Sequence, residues 1–356
     1  MKEHQMVYPD WLRAVTRGKE SALCSDDPVM AGISGGKTSG LMGFLLREHG
    51  PVDAYMGFRN TGREHSQAYL FLQRLEAAGF PIQWAEFRKP LTYGAPPSEF
   101  RYEIVTAATA SRDGKPFEMF LETLAEFRAV QKGLPPVRPS GAMRLCTAYM
   151  KAKVANKIAE DLGHEAYTTF IGLRADEPGR VAKMSVRDTK AKTTRAPLAE
   201  LGITNQHVKR FWVEQPFTLN CPENLGNCTL CFLKDEADLA HNMLHEVSSE
   251  ERTWWIQIQD KYGAFKSGTD YEQLWREAPI REQIRKALMS GGSLISGVGF
   301  GEVPPCPEGF DPYRYKLLIR QEKRVCKEGI ARISCNCEAA ELLSDEYILD
   351  LEAAHA

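Results

Sequence analysis

The segment SGGKTS at residues 34–39 contains the residue types that bind phosphate groups. Gly35 and Gly36 have no side chains, so backbone N–H groups can approach phosphate oxygens closely there. Four neighbouring side chains add a positive charge or hydroxyl donors: Lys37, Ser34, Thr38 and Ser39. An apolar run precedes the segment and a helical pattern follows it, so the N-terminus of a helix would face the same phosphates. The pattern predicts a loop that binds the phosphates of a nucleotide.

Two other interpretations of this segment stay open. A turn rich in Gly and Ser can connect a strand to a helix without binding any ligand. Residues 31–38 also fit a relaxed P-loop pattern, in which a small residue is followed, after four positions, by Gly-Lys-Thr. The strict P-loop motif begins with Gly, whereas this chain has Ala31 at that position.

Three cysteines with the spacing C-x6-C-x2-C form a second group that could do chemistry: Cys221, Cys228 and Cys231. The two thiolates of a C-x2-C pair can bind one metal ion, and a loop that contains Pro and Gly lets the third cysteine join them. The chain has nine cysteines, which in a reducing compartment indicate metal binding or catalysis before disulfides. The spacing predicts a metal site without separating iron from zinc.

Alternating strands and helices are predicted to position the glycine-rich segment. Short apolar runs predict strands at residues 28–33, 52–58, 82–87 and 166–173. Helical patterns follow the first two runs, and a further helix is predicted from about Ala148 to Leu162. Such alternation favours a mainly parallel sheet with helices on both faces, in which ligands bind beyond the carboxyl ends of the strands.

The alternation is interrupted at about residues 89–143, where loops rich in Pro and Gly surround a helix-prone stretch, Glu118–Gln131. We interpret this segment as an insertion. After Cys221 the chain continues in helical and aromatic segments, without a further convincing parallel strand. We therefore predict an α/β protein with a nucleotide-binding domain over residues 1–218, followed by a smaller, mostly helical region with the cysteine cluster over residues 219–356.

The composition is that of a globular protein, with 43% hydrophobic and 26% charged residues in a chain of 356. The net charge of −2 provides no global positive field that would favour a nucleic-acid or membrane partner. No stretch approaches the roughly 20 consecutive apolar residues that span a bilayer, and the first residues lack the features of a signal peptide. We therefore expect a cytoplasmic protein without a membrane partner.

Four motifs, in the same order, resemble those of the PP-loop superfamily, and more narrowly those of the phosphoadenosine phosphosulfate (PAPS) reductase-like family. The glycine-rich segment matches the SGGxxS signature of that family. Residues 60–64, NTGRE, match its T-G pair with a following acidic residue. Residues 144–147 match its R-x-C-T segment, and residues 172–177 match its G-x-R-x-x-E segment, with Arg180 as the further arginine. The resemblance covers about residues 28–235.

The resemblance implies a Rossmann-like fold of the adenine nucleotide alpha hydrolase type and an adenine nucleotide as ligand, either ATP or a sulfonucleotide such as PAPS or adenylyl sulfate (APS). The implied nucleotide-binding residues are Ser34, Gly35, Gly36, Lys37, Thr38, Ser39, Asn60, Thr61, Gly62, Arg144, Gly172, Arg174 and Arg180. Lys37 and Arg174 are the implied catalytic residues. Arginines at strand ends can hold phosphate groups through paired N–H donors, although each can instead form a surface salt bridge. Asp176 and Glu177 could bind Mg²⁺ or orient Arg174.

The resemblance also implies an iron–sulfur cluster, which we expect to be of the [4Fe–4S] type. Members that carry a cluster bind it through cysteines in the R-x-C-T region and in a later C-x2-C pair, which makes Cys146 the implied fourth ligand beside Cys221, Cys228 and Cys231. The family usually has a Cys-Cys pair at the first location, whereas Leu145 precedes Cys146 here, so Cys221 must replace one ligand. Structural zinc and uncoordinated thiols are the alternatives.

Three functions are compatible with these motifs. The first is an enzyme that binds ATP and adenylates an acceptor for sulfur transfer, with tRNA or DNA as implied acceptors. The second is a sulfonucleotide reductase that forms sulfite with a thioredoxin-type reductant, and the third is a nucleotide-binding module without turnover. We favour the first, because the reductases carry a catalytic cysteine in a C-terminal E-C-G-x-H segment, whereas this chain has ISCNCEAAE.

The remaining cysteines receive no firm role from the sequence. Cys306, Cys326, Cys335 and Cys337 could form a sulfur relay or a second metal site, and buried or surface thiols are the simpler interpretation. The oligomeric state is open, with a homo-oligomer as one alternative.

Overall fold

A computed structural model describes residues 5–141, 143–184, 188–221, 226, 228–266, 268–290 and 300–328. The chain divides into two compact units. Among the described residues, the first unit holds residues 5–137 and Arg144–Cys221, and the second holds Arg138–Met143 and the residues from Gly226 onward. The division falls after Cys221, and the sequence places the corresponding change after residue 218. The C-terminal cysteines Cys335 and Cys337 lie outside the described residues.

Six strands of the first unit form one sheet: β1 Val29–Gly32, β2 Tyr55–Asn60, β3 Ile82–Arg88, β4 Arg101–Val105, β5 Tyr167–Phe170 and β6 Lys192–Arg195. Their order is β4-β3-β2-β1-β5-β6. Neighbouring strands are parallel, except for the antiparallel pair of β3 and β4. The predicted α/β class with a mostly parallel sheet is therefore confirmed.

The α-helices of the first unit lie before, between and after these strands along the chain. They are α1 Asp10–Thr16, α2 Lys37–His49, α3 Ser66–Ala77, α4 Lys115–Lys132, α5 Val154–Asp161, α6 Pro178–Val181, α7 Pro197–Glu200 and α8 Asn205–Val213. Short 3-10 helices cover Glu20–Leu23 and Pro97–Glu99, and a π-helical segment, Thr147–Lys153, leads directly into α5. The helix predicted from about Ala148 to Leu162 corresponds to this segment together with α5.

Both faces of the central strand β1 are buried. Val29 and Ala31 belong to a hydrophobic cluster that includes Leu41 and Phe44 of α2. Met30 lies between them in the strand and is also buried, although successive side chains point to opposite faces. A parallel sheet that is covered on both faces explains why the strands are short, nearly continuous apolar runs rather than alternating ones.

The segment at residues 89–143 contains regular structure that the sequence predicts only in part. Helix α4 includes the helix-prone stretch, and glycines in the left-handed conformation precede and follow it: Gly114 with φ +81° and Gly133 with φ +61°. Strand β4 was not predicted. It lies at the edge of the sheet and leaves Ile104 half exposed, so its side chains do not form the apolar run that marks the inner strands.

The described part of the second unit is helical: α9 Glu236–His245, α10 Ser249–Tyr262, α11 Tyr271–Met289 and α12 Pro312–Glu328. A buried arginine on α11, Arg281, joins three of these helices. It pairs with Glu236 of α9 at 3.0 Å and with Glu322 of α12 at 3.2 Å. Among the described residues, none of the helices combines the length and the apolar character that a membrane crossing requires.

Candidate functional site

The SGGKTS loop, residues 34–39, connects β1 to the first turn of α2. Gly35 has φ +75°, a left-handed conformation that side chains disfavour. A Cβ atom at Gly35 would also lie 3.3 Å from the Cβ atom of Ala68 on α3. Gly36 then precedes α2 in an extended conformation. The two glycines therefore turn the chain from strand into helix while α3 packs directly against the turn.

Two serine hydroxyls hold the loop in this shape. The Ser34 N–H donates to Ser39 Oγ at 3.1 Å, and Ser39 Oγ donates to the Gly36 carbonyl at 3.1 Å. The two serine hydroxyls are also 3.1 Å apart, so the Ser34 hydroxyl can donate to Ser39 Oγ. Ser39 is buried, whereas Ser34 is exposed. Ser39 therefore braces the loop, and Ser34 lies where a ligand can reach it.

The first turn of α2 presents backbone N–H groups beside the loop. Its first hydrogen bond runs from the Gly40 N–H to the Gly36 carbonyl at 2.9 Å. The N–H groups of Lys37 and Thr38 precede this bond and have no partner carbonyl within the helix. Both residues are half-buried. This helix terminus combines N–H donors, the positive end of the helix dipole and the Lys37 ammonium group, a combination that attracts anions.

The chain after β5 contacts the same helix turn. A Cβ atom at Gly172 would lie 3.2 Å from the Cα atom of Ser39, so the glycine permits the close approach of the two backbones. Two residues later, Arg174 Nη1 lies 3.4 Å from the hydroxyl oxygen of Thr38. The glycine and the arginine of the predicted G-x-R motif therefore lie against the SGGKTS loop.

Two carboxylates hold Arg174. Its Nε donates to Asp176 Oδ1 at 3.0 Å, and its backbone N–H donates to Glu177 Oε2 at 3.1 Å. Asp176 Oδ2 accepts a further bond from the Asn205 N–H, and Glu177 Oε1 accepts from Arg180. Partial burial acts to raise the pKa of Asp176, but the Asn205 N–H and Arg174 outweigh it and lower that pKa. The geometry favours the positioning of arginines over Mg²⁺ binding as the role of these carboxylates.

The strand order explains why the chain segments after β1 and β5 meet. β1 lies between β2 and β5, so the order of the sheet reverses at this strand. At such a point, the connections leave in opposite directions and open a crevice at the carboxyl ends of the strands, where ligands bind. The SGGKTS loop follows β1 and Arg174 follows β5, so both border that crevice.

The predicted NTG motif lies at the end of β2 and faces inward. Asn60 is 1% exposed and donates to Glu86 at 2.6 Å, while its side-chain oxygen accepts from the Gly62 N–H at 3.0 Å. Thr61 is also buried and donates to Glu64 through both its backbone and its hydroxyl group. Gly62 has φ +83°. These side chains are committed to internal bonds, and their contact with a nucleotide stays a prediction.

The R-x-C-T segment opens the helix that follows the insertion. The Arg144 carbonyl accepts from the Ala148 N–H at 3.0 Å, and both Arg144 and Cys146 are half-buried. The π-helical turn begins at the next residue, Thr147. π-Helical turns are rare and occur frequently at functional sites. The roles of Arg144 in nucleotide binding and of Cys146 in metal binding stay predictions.

The CxxC turn, residues 228–231, is held by buried polar side chains of the second unit. The Cys231 N–H donates to the Cys228 carbonyl at 3.3 Å. The Lys234 ammonium group, 1% exposed, donates to the carbonyls of Gly226 at 2.8 Å and of Cys228 at 2.6 Å. Burial, then Cys231 and Cys228, raise the pKa of Tyr271 well above its ordinary value, so both thiols lie near one phenol group.

The four predicted metal ligands are divided between the two units. Cys146 and Cys221 belong to the first unit, whereas Cys228 and Cys231 belong to the second. None of the cysteines in the described ranges is part of a disulfide. Two further cysteines, Cys306 and Cys326, pack against a small hydrophobic cluster formed by α11 and α12. This packing agrees with the simpler interpretation of these two as partly buried thiols.

Sequence reasoning missed several residues of these sites. Trp212 on α8 donates from its indole N–H to the Lys37 carbonyl at 2.7 Å and so anchors the start of α2. No local signal distinguishes it from an ordinary core residue. His241 and His245 on α9 lie close to Glu282 on α11. Their H-x3-H spacing places two imidazoles on one face of a helix, and this pattern could have predicted from the sequence that they lie together.

The fold and the loop define a mixed α/β protein with a glycine-rich turn at the carboxyl edge of a mostly parallel sheet. A relative of this chain is the uncharacterized nin region protein ORF290 of Escherichia phage lambda, which is 30% identical over 207 residues. The match covers 57% of this chain and 64% of that protein, so the matched part spans less than two thirds of the relative's length. No protein-family model and no solved structure matches the chain.

Proposed function

We propose that this chain is a PP-loop enzyme of the PAPS reductase-like kind, with a Rossmann-like domain of the adenine nucleotide alpha hydrolase type. It binds ATP at the SGGKTS loop and adenylates an acceptor for sulfur transfer. The observation that carries the proposal is the meeting of the α2 N-terminus with a second cationic group, since Arg174 Nη1 lies 3.4 Å from the Thr38 hydroxyl. Backbone N–H groups and an arginine side chain then face the same phosphates.

In the proposed reaction, an oxygen of the acceptor attacks the α-phosphorus of ATP. A new P–O bond forms to the acceptor, the bond between the α-phosphorus and the bridging oxygen breaks, and pyrophosphate leaves with the bonding electron pair. Lys37 and Arg174 stabilise the negative charge that develops on the phosphate oxygens. Arg174 is held for this role by Asp176 and Glu177, so the guanidinium group needs little reorganisation on binding.

An iron–sulfur cluster is the proposed resident cofactor, held by Cys146, Cys221, Cys228 and Cys231. The CxxC turn fits such a group, because two thiols lie near the same phenol group and the buried Lys234 ammonium group offsets the negative charge of thiolates. When bound, a cluster of this kind supplies iron that can bind sulfur. We expect Cys228→Ser and Cys231→Ser each to lose bound metal, and full metal content in both variants would refute the ligand set.

The test is a product assay with protein purified without oxygen. The protein is incubated with ATP, with and without tRNA or DNA, and in parallel with PAPS and reduced thioredoxin, while pyrophosphate and sulfite are measured. We expect pyrophosphate from ATP and no sulfite. Lys37→Met should release pyrophosphate about 10- to 100-fold more slowly, whereas Lys209→Met, which removes an exposed lysine of α8, should not change the rate.

Two outcomes would contradict the proposal. Sulfite formed from PAPS would identify a sulfonucleotide reductase instead. Stoichiometric binding of ATP, with neither product in any incubation, would identify a nucleotide-binding module.

A further inference from the structure

Two histidines and a carboxylate of the second unit come together between neighbouring helices. His241 and His245 are one turn apart on α9, and the centroids of their rings are 4.6 Å apart. Glu282 lies opposite them on α11. His241 Nδ1 is 3.8 Å from Glu282 Oε2, and His245 Nε2 is 3.5 Å from Glu282 Oε1. One ligand atom of each residue lies within 4.8 Å of the other two.

The two histidine–carboxylate distances, 3.5 and 3.8 Å, are closer to the spacing of ligands around a shared metal ion than to hydrogen-bond lengths. The ligand atoms of a tetrahedral zinc site, each about 2.0–2.2 Å from the ion, lie roughly 3.3–3.6 Å apart. Hydrogen bonds to a carboxylate are shorter, at about 2.7–2.9 Å when they are charge-assisted. His241 Nδ1 is buried and has no hydrogen-bond partner among the described residues. A buried ring nitrogen that lacks a partner and faces a carboxylate is a position that a cation would satisfy.

The helices that carry these side chains are fixed independently of any ion. Arg281, one turn before Arg285 on α11, pairs with Glu236 at the start of α9 and with Glu322 of α12. The guanidinium group of Arg285 pairs with Glu322 at 3.0 Å. The Arg281–Glu236 ion pair, and a bond from Arg285 Nη2 to the Ala237 carbonyl at 2.9 Å, therefore join α11 to the start of α9 independently of any ion, so a metal ion would enter a site that is already formed.

Burial and the surrounding charges shift the pKa of His241 and of Glu282. Burial, then Arg285 and His245, lower the pKa of His241, so its imidazole is neutral near pH 7 and can donate a lone pair. Burial acts to raise the pKa of Glu282, but its surroundings, which include Lys286 and Arg285 beside the two histidines, lower that pKa. The cationic groups near the site are Arg285 and Lys286, and Lys286 is largely exposed and can turn into solvent. Glu246 adds a negative charge nearby.

We propose that His241, His245 and Glu282 form a site for a divalent ion of the zinc class. Two imidazoles and one carboxylate suit zinc, and related metals such as cobalt, better than magnesium or calcium, which prefer oxygen ligands alone. Three protein ligands leave one position of a tetrahedral ion for water, as in zinc sites that act on a substrate. The site shares no residue with the SGGKTS loop or with the predicted cysteine ligands, so it does not rest on the proposed function.

The test uses zinc alone, added to the full chain after metal removal, with a chromophoric chelator as competitor. We expect His241→Ala/His245→Ala to bind one zinc ion fewer than the wild type. We expect His245→Ala alone, a change at a partly exposed side chain, to weaken the zinc affinity of this site at least 100-fold. His164→Ala, which removes a histidine of the first unit, serves as the matched control and should keep the wild-type stoichiometry and affinity.

Cobalt distinguishes this site from the cysteines. In Cys228→Ser/Cys231→Ser, bound cobalt should lack the charge-transfer bands of thiolate ligands and should be lost again when His245→Ala is added. Circular dichroism of the metal-free variants checks that each one folds. Equal zinc stoichiometry and affinity in the wild type and in folded His241→Ala/His245→Ala would overturn the proposal. So would cobalt binding in the cysteine variant that does not depend on His245.

Discussion

The SGGKTS loop and the CxxC turn are both short segments whose backbone is held by a buried polar side chain, but they leave opposite groups available. In the loop, the neutral hydroxyl of Ser39 accepts one N–H and donates to one carbonyl, while N–H groups of the first helical turn stay available. In the CxxC turn, the ammonium group of Lys234 donates to carbonyls, while the thiols of Cys228 and Cys231 lie near one phenol. The first arrangement suits an anion, and the second suits a metal ion.

The two sites depend on their supporting residues to different degrees. The loop is shaped mainly by groups within it. These are its two glycines and the hydroxyl of Ser39, which bonds to Ser34 five positions earlier. The CxxC turn depends on a charge that is itself buried, and a buried charge is tolerated only when its bonds are made. Removing the support should therefore damage the CxxC turn more than the loop.

The largest effect is expected for Lys234→Met. This change leaves the partly buried carbonyls of Gly226 and Cys228 without their donor, and unsatisfied groups of this kind destabilise the second unit by about 2–3 kcal/mol. Urea unfolding measures the stability, and metal analysis measures the loss of ligation at the turn. Lys316→Met, at an exposed lysine of α12, is the matched control and should be neutral. Equal stability of the two variants would contradict the role of Lys234.

A smaller effect is expected for Gly35→Ala in the SGGKTS loop. The left-handed conformation disfavours any side chain by roughly 1–2 kcal/mol, and crowding against Ala68 adds to this cost. Gly163→Ala is a matched control, because Gly163 has φ +81° but a Cβ atom there would meet no atom within 4 Å. Both variants should lose stability in thermal unfolding, and only Gly35→Ala should also weaken ATP binding. Equal ATP affinity in both variants would show that nucleotide binding does not depend on the shape of the loop.

The smallest effect is expected at Asp176. Its folded-state pKa is lowered, so its stabilising contribution is present above the unfolded pKa of about 3.9 and is lost as pH falls through the folded value. Because this carboxylate is partly exposed, the contribution is about 0.5 kcal/mol or less. Asp176→Asn should therefore lose less stability than the wild type when the pH falls from 5 to 3. Parallel pH profiles of the two proteins would show that the contribution is absent.

The sequence predicts the elements that depend on local pattern. The strand, glycine loop and helix from β1 through α2 follow from an apolar run, two glycines and a helical repeat, and all three occur where expected. Strand β6 was not predicted, because its residues Lys192–Arg195 are polar and have no apolar run. This segment is a strand because it pairs with β5, a contact that its own residues do not indicate.

The parts of the sites that could not be predicted depend on contacts between distant segments. Asn60 was expected to face the nucleotide, but its bond to Glu86 on the neighbouring strand joins residues 26 positions apart. Trp212 contacts the Lys37 carbonyl across 175 positions, and Glu282 reaches the two histidines from another helix. Spacing along the chain carries no information on such pairs, because they form only when the elements pack.

The most direct test of the central claim is calorimetric titration of the protein with ATP, comparing the wild type with Gly36→Asp. A Cβ atom at Gly36 would meet only the Ser34 hydroxyl, at 3.6 Å, so the variant should fold and place a carboxylate among the phosphate donors. Gly141→Asp, where a Cβ atom would meet nothing within 4 Å, is the matched control. We expect ATP binding to be about 100-fold weaker in Gly36→Asp and unchanged in Gly141→Asp. Equal affinity in all three proteins would contradict the central claim.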